Sequence, residues 1–210
     1  MASINEIVKV ADGDFPTHEI PLGILNSAQF IISCDGAAQK LIEYGKIPDM
    51  ITGDMDSLSK EMQQRYSSII YRSECQETND LTKAFRLALE QNPCSVSILG
   101  ATGLREDHTL GNISLLAEYS KVTDIPVKMW TNFGEFLYIN KGGHFKTAAG
   151  CQVSIFALEE GVRMESRGLK FPLQDVIFDN WWKGTLNEAL SDSFELLFEK
   201  GSVIIFISYK

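Results

Sequence analysis

Val96-Ser97-Ile98-Leu99-Gly100-Ala101-Thr102-Gly103-Leu104-Arg105-Glu106-Asp107-His108-Thr109-Leu110-Gly111-Asn112 reads as a short buried strand, a glycine-bounded loop and the opening of a helix. The same grammar recurs upstream. Ile7-Val8-Lys9-Val10, Phe30-Ile31-Ile32-Ser33 and Ile69-Ile70-Tyr71 are further short apolar runs with helical patterns between them. The clearest helix covers 81–91, where Leu81, Ala84, Phe85, Ala88 and Leu89 share one face and Pro93 ends the pattern. Another covers 110–119 and presents Ile113, Leu116 and Ala117. Strand and helix in alternation predict an α/β domain with a mostly parallel sheet covered on both faces.

Beyond Trp130 the texture changes. Phe136-Leu137-Tyr138-Ile139, Gln152-Val153-Ser154-Ile155-Phe156-Ala157-Leu158, Phe194-Glu195-Leu196-Leu197-Phe198 and Val203-Ile204-Ile205-Phe206-Ile207 are separated by turns carrying Gly or Asn. Lys200-Gly201 suits a tight hairpin turn. With no long amphipathic helix in this half, an all-β antiparallel sandwich or barrel is expected. The boundary falls near Thr131 to Gly134, giving domains 1–131 and 132–210. Trp181-Trp182 reads as packing against the other domain or another subunit.

The chain has 210 residues, 44% apolar and 22% charged, with a formal net charge of −9. Those proportions are ordinary for a globular protein. The acidic balance argues against a nucleic-acid partner, because neutralising phosphates takes clustered Lys and Arg. The N-terminus has no secretory pattern, and the longest apolar run is too short to span a bilayer. A cytoplasmic protein with no membrane partner is expected. Cys34, Cys75, Cys94 and Cys151 are scattered without a CxxC pair, which suits buried reduced thiols rather than zinc.

Three acidic sites fall just past strand ends, where parallel α/β sheets place their ligands. They are Asp35-Gly36 after the second strand, Gly53-Asp54-Met55-Asp56-Ser57, and Gln76-Glu77-Thr78-Asn79-Asp80 ahead of the 81–91 helix. Oxygen ligands of this kind suit a hard divalent cation, and Asp54 and Asp56 flank a single residue so that one turn can aim both at one ion. Each residue also has a plainer reading. Asn79 and Asp80 suit a helix cap and its dipole, and Asp35-Gly36 suits a turn. The Gly100 to Asn112 run differs from a dinucleotide fingerprint, whose third glycine would fall on Glu106, and no GxxxxGK[ST] is present. Arg105 and Asp107 suit either contacts to a polar ligand or an ion pair on a solvated loop.

Taken in order, these segments resemble the thiamine pyrophosphokinase family over nearly the whole chain. The resemblance rests on Gly13-Asp14-Phe15-Pro16, Asp35-Gly36-Ala37-Ala38, Gly53-Asp54-Met55-Asp56-Ser57, Gln76 to Lys83 and Gly100 to Asn112, then Ser166 to Leu173 and Gly184 to Glu188. It implies transfer of a pyrophosphoryl group from ATP to the hydroxyl of thiamine, with Mg2+ as cofactor, in a homodimer. It also implies an ATP- and metal-binding catalytic domain at 1–131 and a thiamine-binding sandwich at 132–210. The catalytic positions fall on Asp54, Asp56 and Asp80, joined by Asp35 as metal ligands. ATP contacts fall on Asp35, Gly36, Ser57, Gln76, Lys83 and Arg105, and thiamine contacts on Asp107, Phe171 and Asn187. Three positions depart from the family pattern. Asn79 stands where many members carry Thr, Phe171 where Trp is frequent, and Leu186 where Ser commonly precedes Asn-Glu, with Thr185 the nearest hydroxyl. Without the resemblance, the acidic set also suits an Asp-x-Asp transferase acting on a sugar nucleotide, or a regulatory module that binds ATP or thiamine without turnover.

Overall fold

The computed structural model describes residues 5–72 and 78–210. The chain divides into two compact units, Met1–Asn132 and Phe133–Lys210. Among the described residues no helix is long and apolar enough to cross a membrane.

In the first unit the strands are β1 (Ile7–Val10), β2 (Ile31–Cys34), β3 (Met50–Gly53), β4 (Ile70–Arg72), β5 (Val96–Leu99) and β6 (Val127–Trp130). They are ordered β6-β5-β1-β2-β3-β4 with every pairing parallel. β1, β2 and β5 are buried at every residue, as expected of central strands covered on both faces. The helices are α1 (Glu19–Ser27), α2 (Asp35–Glu43), α3 (Lys60–Arg65), α4 (Asp80–Glu90) and α5 (Glu106–Tyr119). α4 buries Leu81, Ala84, Phe85 and Ala88, and the Asn79 side chain caps it by accepting from the Thr82 amide at 2.8 Å. Burial of Leu81 and Phe85 contributes roughly 1.5–3 kcal/mol each.

α5 starts four residues before the apolar pattern does. Its first turn is polar, with Glu106 and Asp107 where the helix dipole favours negative charge. Leu110 is exposed, so the buried stripe appears only at Leu116 and Tyr119.

The second unit is a sandwich of two antiparallel sheets, the one of the two expected all-β classes that the family resemblance implied. Its strands are β7 (Gly134–Ile139), β8 (Gly143–Lys146), β9 (Gln152–Ala157), β10 (Val162–Arg167), β11 (Val176–Phe178), β12 (Asn187–Glu188), β13 (Ser193–Leu197) and β14 (Val203–Ser208). One sheet runs β12-β9-β14-β7 and the other β11-β10-β13-β8. Val153, Ile155, Val203 and Ile205 from the first face Met164, Phe178, Phe194 and Leu196 from the second in a single core. β10 alternates buried and exposed at every step. The Lys200-Gly201 turn departs from the hairpin reading. β13 pairs with β8 and β10 while β14 pairs with β7 and β9, so this turn carries the chain from one sheet to the other. Gly201 takes a φ of 95° there, and the Glu159 carboxylate ties down the next residue by accepting from the Ser202 amide at 2.6 Å and its hydroxyl at 2.8 Å.

Candidate active site

Three of the predicted carboxylates converge at the ends of β2 and β3. Asp35 is the first residue of α2 and is only 4% exposed. Its Oδ1 accepts from the Gly36 amide at 2.8 Å and its Oδ2 from the Met55 amide at 3.0 Å, which ties the two strand ends together. Met55 takes a left-handed φ of 71°, and this turn sets Asp54 and Asp56 beside Asp35. The Asp56 amide donates to Asp54 Oδ1, and the Ser57 hydroxyl to Asp56 Oδ1, each at 3.1 Å. One oxygen from each of Asp35, Asp54 and Asp56 lies within 4.8 Å of the others.

The electrostatics of this group suit a cation. Burial pushes the Asp35 carboxyl above its ordinary range, the Gly36 amide opposes that, and the negative charges of Asp80 and Asp54 push it further up. Asp54 is held below the ordinary range by the Asp56 amide. Three hard oxygen donors, one of them buried, leave repulsion that a divalent ion relieves, so the residues fit magnesium.

A cavity of about 290 Å³ opens beside Asp35, with Gly36, Ser57, Asp80 and Arg105 also on its wall. Asp80 stands outside the three-carboxylate group and pairs with Lys83 Nζ at 2.8 Å, with the lysine side chain largely covered. Arg105 reaches the wall, and its Nε donates to Asp107 Oδ1 at 3.0 Å. Asp107 is not part of the wall. Its carboxyl is pulled down to about 2 by the Arg105 guanidinium, with which it forms an exposed ion pair. Gln76 lies outside the described residues.

Several wall residues escaped the sequence reading. Asp12 follows β1 as Asp35 follows β2, and it pairs with Lys40 of α2 at 2.8 Å. Applying the strand-end rule to β1 finds it. Asn112 also lines the cavity and donates to the Ala101 carbonyl at 2.7 Å, which holds α5 to the loop after β5. Cys34 borders the cavity, but burial pushes its thiol up to about 12. It stays protonated near neutral pH and is no nucleophile.

The second unit carries a hollow of its own, about 430 Å³, bordered by Phe171, Trp182, Leu186 and Asn187. Phe171 is 61% exposed and is no core residue. Asn187 is buried and its amide is committed. Its Oδ1 accepts from the Phe171 amide at 3.1 Å and its Nδ2 donates to the Phe171 carbonyl at 2.7 Å. Asn187 therefore braces the Phe171 turn, and of these two residues Phe171 offers the open face. Thr185, the nearest hydroxyl to the missing serine, donates to the Trp182 carbonyl at 2.8 Å and keeps its lone pairs as acceptors. Leu186 holds a left-handed φ of 59° while exposed. The tryptophan pair splits its work. Trp181 donates its indole N–H to the Ala157 carbonyl at 2.9 Å and packs edge-on against Phe156, within its own unit. Trp182 stays 69% exposed on the hollow.

Comparison with known proteins supplies the context for both units. Residues 23–129 match the catalytic-domain model of thiamin pyrophosphokinase, and residues 134–206 its substrate-binding domain. The thiamine pyrophosphokinase of Bacillus subtilis is 29% identical over 179 residues, covering 81% of this chain and 80% of that protein. Its crystal structure superposes with a TM-score of 0.83 at 23% identity, covering 98% of this chain and 100% of the other. The enzyme structure from Geobacillus thermodenitrificans gives 0.82 at 25% identity, covering 98% of each chain. Two matched models, one in each unit, together with a carboxylate group at the ends of parallel strands in the first, lead to one conclusion: the chain belongs to the thiamine pyrophosphokinase family.

Proposed function

We propose that this protein transfers the β,γ-pyrophosphoryl group of ATP to the primary hydroxyl of thiamine, releasing AMP. The observation that carries the reading is the convergence of Asp35, Asp54 and Asp56 within 4.8 Å in the unit that matches the family's catalytic domain. In this reading those three residues hold Mg2+. When bound, the ion supplies charge neutralisation at the phosphate oxygens, the main demand of such transfers. Gly36 and Ser57 border the nucleotide, and Arg105 brings a cation that can turn from Asp107 to phosphate. Lys83 keeps Asp80 oriented on the same wall. No general base is assigned.

Thiamine is read as the ligand of the Phe171 hollow. An aromatic face suits a flat pyrimidine or a cationic thiazolium, and such contacts contribute roughly 0.5–2 kcal/mol. The reading also includes a homodimer, supported by the exposed apolar side chains of Phe171, Trp182 and Leu186 on one surface. A cytoplasmic location is supported by the free thiols of Cys34, Cys94 and Cys151, which suit a reducing compartment.

The product identifies the reaction. With ATP, magnesium and thiamine the chain should yield AMP and thiamine pyrophosphate in equal amounts. Accumulation of ADP with thiamine monophosphate would overturn the assignment.

The hollow has a separate test. Phe171→Ala should raise the Michaelis constant for thiamine by about 2- to 30-fold and leave that for ATP unchanged. Its melting temperature should hardly move, because the ring is mostly exposed. Asn187→Ala should give the same thiamine defect by freeing the Phe171 turn, with a stability loss of roughly 1–3 kcal/mol from orphaned backbone groups. Unchanged thiamine kinetics in both variants would remove thiamine from this hollow.

A further inference from the structure

Lys9 is a cation in the middle of an apolar strand, and it is fully buried. β1 lies between β5 and β2 in the sheet. From there Lys9 Nζ donates to the Leu81 carbonyl at 2.9 Å. It also stands 4.8 Å from the centre of the Phe85 ring and 5.0 Å from that of Tyr119, and the two rings stack on each other. Leu81 and Phe85 belong to α4, and Tyr119 to α5. A single ammonium thus touches both helices that follow the cavity walls: α4 opens with Asp80, and α5 follows the Arg105 loop.

Stability does not explain this arrangement. An ammonium has three N–H donors, and here one carbonyl and two ring faces receive them. Burial lowers the amine to about 7, which reports the cost of desolvating it. A methionine of similar length would fill the space without that cost, and replacing buried charge by apolar groups of like volume is often neutral or stabilising. What the amine does supply is a fixed seam through its bond to the Leu81 carbonyl and its place against the two rings, continued by the 3.5 Å approach of Thr82 Oγ1 and the Tyr119 hydroxyl.

We propose that Lys9 is a positioning residue of the nucleotide cavity, clamping the first turn of α4 to β1 and to Tyr119 of α5 so that Asp80, with its partner Lys83 behind it, is fixed on the wall. The proposal rests on the reading of that cavity as the ATP site. Lys9 itself reaches no reacting atom and acts through the Leu81 carbonyl, one residue beyond Asp80.

The test is equilibrium binding of the magnesium complex of α,β-methylene-ATP, which cannot be split at the α–β bridge, measured by calorimetry on the full chain without thiamine. Lys9→Met should weaken binding by about 2- to 30-fold, with a melting temperature equal to or above that of the wild type. The Michaelis constant for thiamine should stay unchanged. Equal affinity in wild type and variant overturns the proposal while leaving the cavity reading intact. A lowered melting temperature with unchanged affinity makes Lys9 a structural residue only and also overturns it. A wild-type chain that binds no analogue overturns the cavity reading and the proposal together. Tyr119→Leu removes one ring from the ammonium and leaves the charge in place, and it serves if Lys9→Met does not fold. It should weaken binding in the same direction, and unchanged affinity in that variant overturns the clamp.

Discussion

Asp56→Asn should lower turnover by roughly two to three orders of magnitude, the scale of losing one preorganised charge-stabilising group, while the protein folds normally. The substitution is close to a pure charge change. Asparagine keeps an Oδ1 that can accept from the Ser57 hydroxyl, and residue 56 still donates its amide to Asp54. The side chain is exposed, so no core packing is disturbed. Removing one of three carboxylates gathered within 4.8 Å relieves repulsion, and the melting temperature without metal should hold or rise. With magnesium added, the wild type should gain more thermal stability than the variant, because only the intact group binds the ion well. Near-normal turnover of Asp56→Asn at saturating magnesium would exclude a metal role for this residue.

Asp80→Asn tests a different arrangement and should separate from Asp56→Asn in the metal titration. Asp80 is paired with Lys83 at 2.8 Å and lies outside the three-carboxylate group. The substitution removes the negative charge opposite a largely covered lysine, so a stability decrease should accompany any loss of turnover. The resemblance implied Asp80 among the metal ligands, and in the structure it pairs with Lys83 beside the group of three.

The apolar pattern of the sequence located the fully buried central strands and the amphipathic helix α4. β1 and β5 occupy the expected residues, and α4 begins one residue before the predicted span. It was less informative where local chemistry sets the boundary. The start of α5 depends on Glu106 and Asp107 at the positive end of the helix dipole, which leaves no apolar signature. The role of Lys200-Gly201 depends on which sheet receives β14, and a turn sequence alone carries no such information.

The same limit holds for the candidate site. Asp35, Asp54 and Asp56 were legible because strand ends are where such sheets gather ligands. The resemblance implied a thiamine contact at Asn187, and its two bonds to the Phe171 backbone were beyond the reach of sequence spacing. Lys9 carried a signal that went unused: a charged residue inside a four-residue apolar strand requires a buried partner, and the partner lies 72 positions away.

Gly53→Ala should nearly abolish turnover, with a loss of about 100-fold or more, although the change adds only a methyl group. A Cβ at position 53 would lie 2.6 Å from the Asp35 carboxyl carbon and 2.7 Å from its Oδ1. The carboxylate cannot yield freely, because the Gly36 and Met55 amides hold its two oxygens. The backbone cannot yield freely either, since Gly53 has a φ of 154° and precedes the left-handed Met55. Something must move by several tenths of an ångström, and misplacement of a catalytic group on the order of 1 Å costs about 10²-fold in rate. Stability should fall by roughly 1–3 kcal/mol through strain and a weakened buried hydrogen bond. The assignment of cause is testable by a double-mutant cycle with Asp35→Ala. If the methyl acts by striking the carboxylate, the double variant should lose less stability than the sum of the single variants while turnover stays lost. Strictly additive stability losses would place the strain elsewhere. Wild-type turnover in Gly53→Ala would show that the close approach of β3 to Asp35 has no part in shaping the three-carboxylate group.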